Sequence, residues 1–130
     1  MDAKHADEAS LNDLSRQVIG RAFTVLNTLG AGFLEKVYEN ALALELRAVG
    51  LTVDQQHGLT VTYRNQIIGQ YYIDLLVDNA LLVELKTVQA FDDSHRLQCL
   101  NYLKASGLHL CLLLNFAKPR LEIKRIVHAL

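Results

Sequence analysis

Two segments of this chain are apolar at nearly every position. Leu81 to Val88 reads Leu-Leu-Val-Glu-Leu-Lys-Thr-Val, and Leu108 to Asn115 reads Leu-His-Leu-Cys-Leu-Leu-Leu-Asn. A strand with one wet face alternates between apolar and polar residues, whereas a strand covered on both faces does not. Both segments are too short for a membrane span and too rich in apolar residues for a loop, so they read as buried strands. With helical patterns before and between them, they imply one α/β domain whose sheet is mixed.

The rest of the chain falls into place around these strands. Met1 to Ser10 is polar and is expected to form a flexible N-terminus, leaving residues 11–130 as the domain. Leu11, Leu14, Val18, Val25 and Leu29 recur at helical spacing, and Gly30 supplies the stop. A second helix is expected from about Leu34 to Val49, closed by Gly50. From Leu51 the pattern turns to β: Leu59 to Tyr63 alternates, Arg64-Asn65-Gln66 is a turn, and Ile67 to Val77 is rich in β-branched and aromatic residues. A third helix is expected from about Asp92 to Ala105, ended by Gly107, and Leu121 to Val127 alternates as an edge strand does. The expected order is α-α-β-β-β-β-α-β-β.

Composition excludes several classes. With 13 Lys and Arg against 14 Asp and Glu, the chain is no generic polycation, so nucleic-acid binding would need a local patch. Lys118, Arg120, Lys124 and Arg125 form such a cluster, although a solvated edge strand explains them as well. Cys99 and Cys111 sit in apolar periodic segments without partners at ligand spacing and read as reduced core residues. No apolar run reaches the ~20 residues of a bilayer span. A cytoplasmic location and no membrane association are the expectation.

Chemistry concentrates at the turn Asp78-Asn79, between Asp74 and the run Glu84-Leu85-Lys86. Register decides whether the two carboxylates meet. A two-residue loop would pair Val77 with Ala80 and set Asp74 opposite Val83, turning Glu84 to the wrong face. A three-residue loop, Asp78-Asn79-Ala80, pairs Val77 with Leu81 and sets Asp74 opposite Glu84; a five-residue loop gives the same register. Lys86 then shares the face of Glu84, while Leu75, Val77, Val83 and Leu85 fill the other. Two carboxylates on adjacent strands suit Mg²⁺ or Mn²⁺, and a neighbouring ammonium could orient a bound water and offset developing charge. A Glu–Lys pair on a solvated strand face explains the same residues, and the spacing leaves both readings open.

Two further sets share a helix face. Glu35 and Tyr38 are three apart at the start of the second helix, where a Glu also complements the helix dipole. His95, Gln98 and Tyr102 make a polar stripe on the third helix that could contact phosphate or water, or simply face solvent.

Taken together, Asp74, Glu84-x-Lys86 and Gln98-x-x-x-Tyr102 resemble the signature of the PD-(D/E)xK nuclease superfamily, nearest its RecB-like branch. Gly32-Phe-Leu-Glu35-Lys-Val-Tyr38 is similar to the motif that names the small bacterial GxxExxY proteins. The likeness runs from about Leu11 to Val127, and Ile73 stands where the superfamily name has proline. It implies a restriction-endonuclease-like fold with a central mixed sheet flanked by helices. It also implies Asp74 and Glu84 as metal ligands with Glu35 as an added one, Lys86 as the catalytic lysine, and Gln98 and Tyr102 lining the site. Tyr38, His95, Gln98, Tyr102 and Lys104 are the expected substrate contacts.

The activity so implied is metal-dependent hydrolysis of nucleic acid, DNA in preference to RNA, with Mg²⁺ or Mn²⁺ as cofactor. The alternative is an inactive nuclease-fold module that binds nucleic acid or a protein. A homodimer through the last strand or first helix, and a partner protein that supplies specificity, complete the expectations.

Overall fold

The computed structural model describes residues 7–130. Two helices, α1 (Glu8–Leu29) and α2 (Glu35–Ala48), lead into β1 (Val53–Tyr63), β2 (Gln66–Val77) and β3 (Leu81–Lys86); α3 (Asp93–Ser106) then precedes β4 (Leu110–Asn115) and β5 (Glu122–Val127). The strands form one sheet in the order β1-β2-β3-β4-β5, with β3 and β4 parallel and the other pairs antiparallel. The expected fold class therefore holds. Three strands rather than four precede α3, because Val53–Tyr63 runs as one strand along the whole length of β2.

The N-terminal boundary also differs. Met1 to Ala6, part of the segment expected to be flexible, lie outside the described residues. Residues 8–10 are already helical, because the Asp7 carboxylate accepts the Ser10 N–H at 2.8 Å and caps α1.

The two apolar strands occupy the centre, as their composition demands. On one face Leu75, Val77, Leu81, Val83, Leu85, Leu110, Leu112 and Leu114 pack under α1 and α2. On the other, Leu76, Leu82, Cys111 and Leu113 pack with Cys99, Tyr102 and Leu103 of α3. Each fully buried leucine contributes roughly 1.5–3 kcal/mol, so the helices are held chiefly by this sandwich. Both cysteines are free and buried.

Candidate active site

The loop between β2 and β3 is the odd one. Val77 pairs with Leu81, and Asp78-Asn79-Ala80 forms the connection, with Asp78 and Asn79 left-handed at φ 50 and 53. Asp78 is fixed there because its Oδ1 accepts both the backbone N–H and the hydroxyl of Thr52, at 2.8 and 3.0 Å. The same register, continued, sets Asp74 opposite Glu84. Leu75, Val77, Val83 and Leu85 lie in the opposite core, as expected.

Pairing between β2 and β3 stops at Leu75↔Val83. Beyond it the strands separate, and side chains replace the ladder: Glu84 Oε1 accepts the Asp74 N–H at 3.2 Å, and Asp74 Oδ2 accepts the Leu85 N–H at 2.8 Å. Ile73 and Leu76 both enter the α3-side core although they are three apart, so β2 turns over across Asp74 and Leu75. On β1, Gln56 and Asp74 drop out of the register between Gln55↔Leu75 and His57↔Ile73. Gln56 has φ 52, an unfavourable conformation for a residue with a Cβ. Its amide donates to Asp74 Oδ1 at 3.1 Å and to Glu39 Oε1 at 2.8 Å.

Burial and charge act together on Glu84. Its side chain is only 5% exposed, and desolvation, followed by the Asp74 charge and a hydrogen bond with Asp74, raises its pKa from 4.5 to about 9. Lys86 acts in the opposite direction but does not cancel them. Glu35, at the start of α2, is also raised, first by desolvation and then by Asp74, and it accepts a hydrogen bond from the Thr87 backbone. Lys86 donates to Gln98 Oε1 at 3.4 Å, which ties β3 to α3. The Tyr102 phenol is pushed well above its ordinary value by desolvation and by Glu84.

Asp74, Glu84, Lys86, Glu35, Gln98 and Tyr102 thus converge from four elements, β2, β3, α2 and α3. The remaining expected residues do not join them. Tyr38, expected to meet substrate, is fully buried: its ring stacks on Phe116 at 4.9 Å, and its hydroxyl donates to Gly30 O at 2.6 Å and accepts the Phe33 N–H at 3.1 Å. It pins the loop that delivers Glu35 instead of touching a ligand. His95 is taken up by the α3 cap, where Nδ1 accepts the Asp92 N–H at 3.0 Å. Lys104 is exposed farther along α3.

Three residues of this region escaped the sequence reading. Glu39, 2% exposed, gathers Lys36, Gln55 and Gln56 at 2.8–2.9 Å, and its position four residues after Glu35 was the available signal. Gln56 carried no signal, since nothing in a sequence marks a left-handed glutamine. Asn115 is buried and grips both backbone groups of Val88, at 3.1 and 2.7 Å, fixing the chain just after Lys86.

The donor set suits a hard divalent cation. Two convergent carboxylates stand here, and burial together with the Asp74 charge favours the protonated form of Glu84 despite Lys86; Mg²⁺ commonly takes one or two protein carboxylates plus water and phosphate. Among the described residues, however, no three His, Cys, Asp or Glu side chains are grouped to hold an ion. Glu35 bonds to the Thr87 backbone and does not complete a three-carboxylate set.

No curated protein matches the chain. Its fold is similar to the crystal structure of SSO0001, with a TM-score of 0.53 and 13% identity over 90% of this chain. This chain spans 62% of that one. No helix among the described residues is long and apolar enough to cross a membrane. The family model of the PD-(D/E)XK nuclease superfamily matches residues 12–126, from α1 through β5 and across every residue of the fork between β2 and β3. The chain belongs to the PD-(D/E)XK nuclease superfamily.

Proposed function

We propose that this protein hydrolyses phosphodiester bonds in nucleic acid, with DNA preferred to RNA, and that it depends on Mg²⁺ or Mn²⁺. The carrying observation is the fork, where Asp74 and Glu84 cross-bond at the point where β2 leaves β3. A divalent cation held by Asp74 and Glu84 would supply a positive centre for the phosphate and a more acidic water. Lys86, on the face of Glu84, orients the attacking water and offsets charge developing on the phosphate. Gln98 holds that ammonium in place from α3. The Tyr102 phenol keeps its proton and serves as a hydrogen-bond donor.

Within the superfamily we place the chain with the GxxExxY proteins on the RecB-like branch, on the strength of Gly32, Glu35 and Tyr38. Gly32 has φ 108, and Tyr38 clamps the loop ahead of Glu35, which gives each motif residue a physical task. The buried free cysteines favour a reducing, cytoplasmic setting. Incubating plasmid and single-stranded DNA with Mn²⁺ and the wild-type, Glu84→Ala and Lys86→Ala proteins tests the reading. Cleavage by the wild type alone supports it, and cleavage by all three refutes it.

A second reading is an inactive nuclease-fold module. The Thr87 backbone N–H donates to Glu35, which stands outside any three-carboxylate set, and this favours the second reading. Calorimetry decides between the two, because an inactive relic would take up no Mn²⁺ at millimolar concentration.

A further inference from the structure

Beyond the fork, the β1–β2 hairpin continues without β3 beside it, and α3 faces it across a cleft. The near part is a cavity of about 340 Å³ lined by Val61, Tyr71, Leu97, Gln98, Asn101 and Tyr102. The far part, about 440 Å³, shares Val61, Tyr71 and Asn101 and ends at Thr60, Thr62 and Lys104. The two form one groove. It opens onto the fork at Gln98, whose amide oxygen accepts the Lys86 ammonium at 3.4 Å.

The chemistry of the walls is unequal along this groove. In the near part, Tyr71 and Leu97 remain 49% and 43% exposed, and Tyr71 meets Tyr102 edge-on with ring centroids 5.9 Å apart. This leaves aromatic and aliphatic surface with no protein cover, flanked by the neutral amides of Gln98 and Asn101. Lys104 is the one charged residue among those lining either part. A flat heteroaromatic group with donors and acceptors on its edge suits the near part, and an anion suits the far part.

We propose that this groove seats one unpaired nucleotide of the substrate strand, its base against Tyr71 and Leu97 and a neighbouring phosphate on Lys104. The inference deepens the nuclease reading and rests on it for the identity of the ligand. A base still paired in a duplex presents only its edge, so the groove selects single-stranded or frayed nucleic acid. Continuity with the fork and the single cation at the far end are what favour a nucleotide over an apolar peptide.

The test is fluorescence anisotropy without divalent metal, using labelled 12-mers: oligothymidylate, oligouridylate, an abasic strand and a blunt duplex. Wild-type protein is expected to bind one of the base-bearing single strands more tightly than the abasic strand and the duplex, and the preferred sugar identifies the source. Tyr71→Ala and Leu97→Ala should each weaken that binding by about tenfold and leave abasic binding unchanged, with Tyr71→Phe retaining affinity. Lys104→Ala should weaken all strands alike and flatten the salt dependence by about one counterion. Equal losses on the base-bearing and abasic strands, or duplex bound as tightly as single strands, would overturn the subsite. Because the assay needs no turnover, discrimination without Mn²⁺-dependent cleavage would sink the nuclease reading alone. Cleavage unaffected by Tyr71→Ala and Lys104→Ala would sink the subsite alone.

Discussion

The backbone N–H of Asp74 donates to the carboxylate of Glu84 at 3.2 Å, so each residue of the pair is both a candidate ligand and part of the scaffold holding the other. Asp74 repays the bond one residue on, at Leu85, with 2.8 Å. The site is therefore built where β2 stops pairing with β3. Two carboxylates face each other there because backbone groups freed by the fork still require partners.

The first consequence concerns stability. Folding raises the Glu84 pKa from 4.5 to about 9, so the folded protein retains a proton that the unfolded chain releases in that range. The sign follows: this contribution is fully present below pH 4.5 and is lost as pH rises towards 9. Metal-free wild type should melt at progressively lower temperature from pH 5 to pH 9, and Glu84→Gln should flatten that decline. Parallel curves for the two proteins would exclude Glu84 as the source.

Lys86→Ala should reduce Mn²⁺-dependent cleavage by about 10²–10³-fold, the usual effect of removing one preorganised group that stabilises transition-state charge. Gln98→Ala should cost less, because it loosens Lys86 without removing the ammonium. Single-turnover rates at saturating protein separate these effects from binding. A Gln98→Ala loss equal to that of Lys86→Ala would mean that Gln98 touches substrate itself.

Gln56 offers a comparison between two substitutions. Gln56→Ala removes the amide shared by Glu39 and Asp74 and keeps a Cβ at φ 52; it should destabilise the fold by about 1–3 kcal/mol. Gln56→Gly removes the same amide but relieves the left-handed backbone, so it should be the milder change by about 1 kcal/mol. Urea denaturation midpoints measure both. The reverse order would show that the backbone at this position carries no strain.

Tyr38→Phe deletes one hydroxyl that donates to Gly30 and accepts from Phe33. With the ring still stacked on Phe116 and water able to reach the loop, the expected cost is about 0.5–1.5 kcal/mol, the usual net worth of a lost hydrogen bond. Amide exchange should accelerate at Phe33 before it does in the α2 interior. Uniform acceleration across α2 would point to a wider role in the core.

Much of this protein could be read from residue order alone. The near-continuous apolarity of Leu81–Leu85, interrupted only by Glu84, and the unbroken run Leu110–Leu114 required strands covered on both faces, and Gly30, Gly50 and Gly107 ended the helices where left-handed backbone was needed. Register arithmetic was equally local: an odd loop at Asp78-Asn79-Ala80 was the condition for Asp74 to face Glu84, and that loop forms. What the order of residues could not supply was burial and the bonds that burial enforces. Tyr38 and His95 had the chemistry of ligand contacts, yet packing enclosed one and a helix cap occupied the other. Gln56 links Glu39 to Asp74 only because β1, α2 and β2 come together in space. Desolvation, the largest influence on Glu84, arises from the surrounding layers of the fold and from no neighbour in sequence. Periodicity is a local property of the chain, whereas a site's electrostatics depend on everything packed around it.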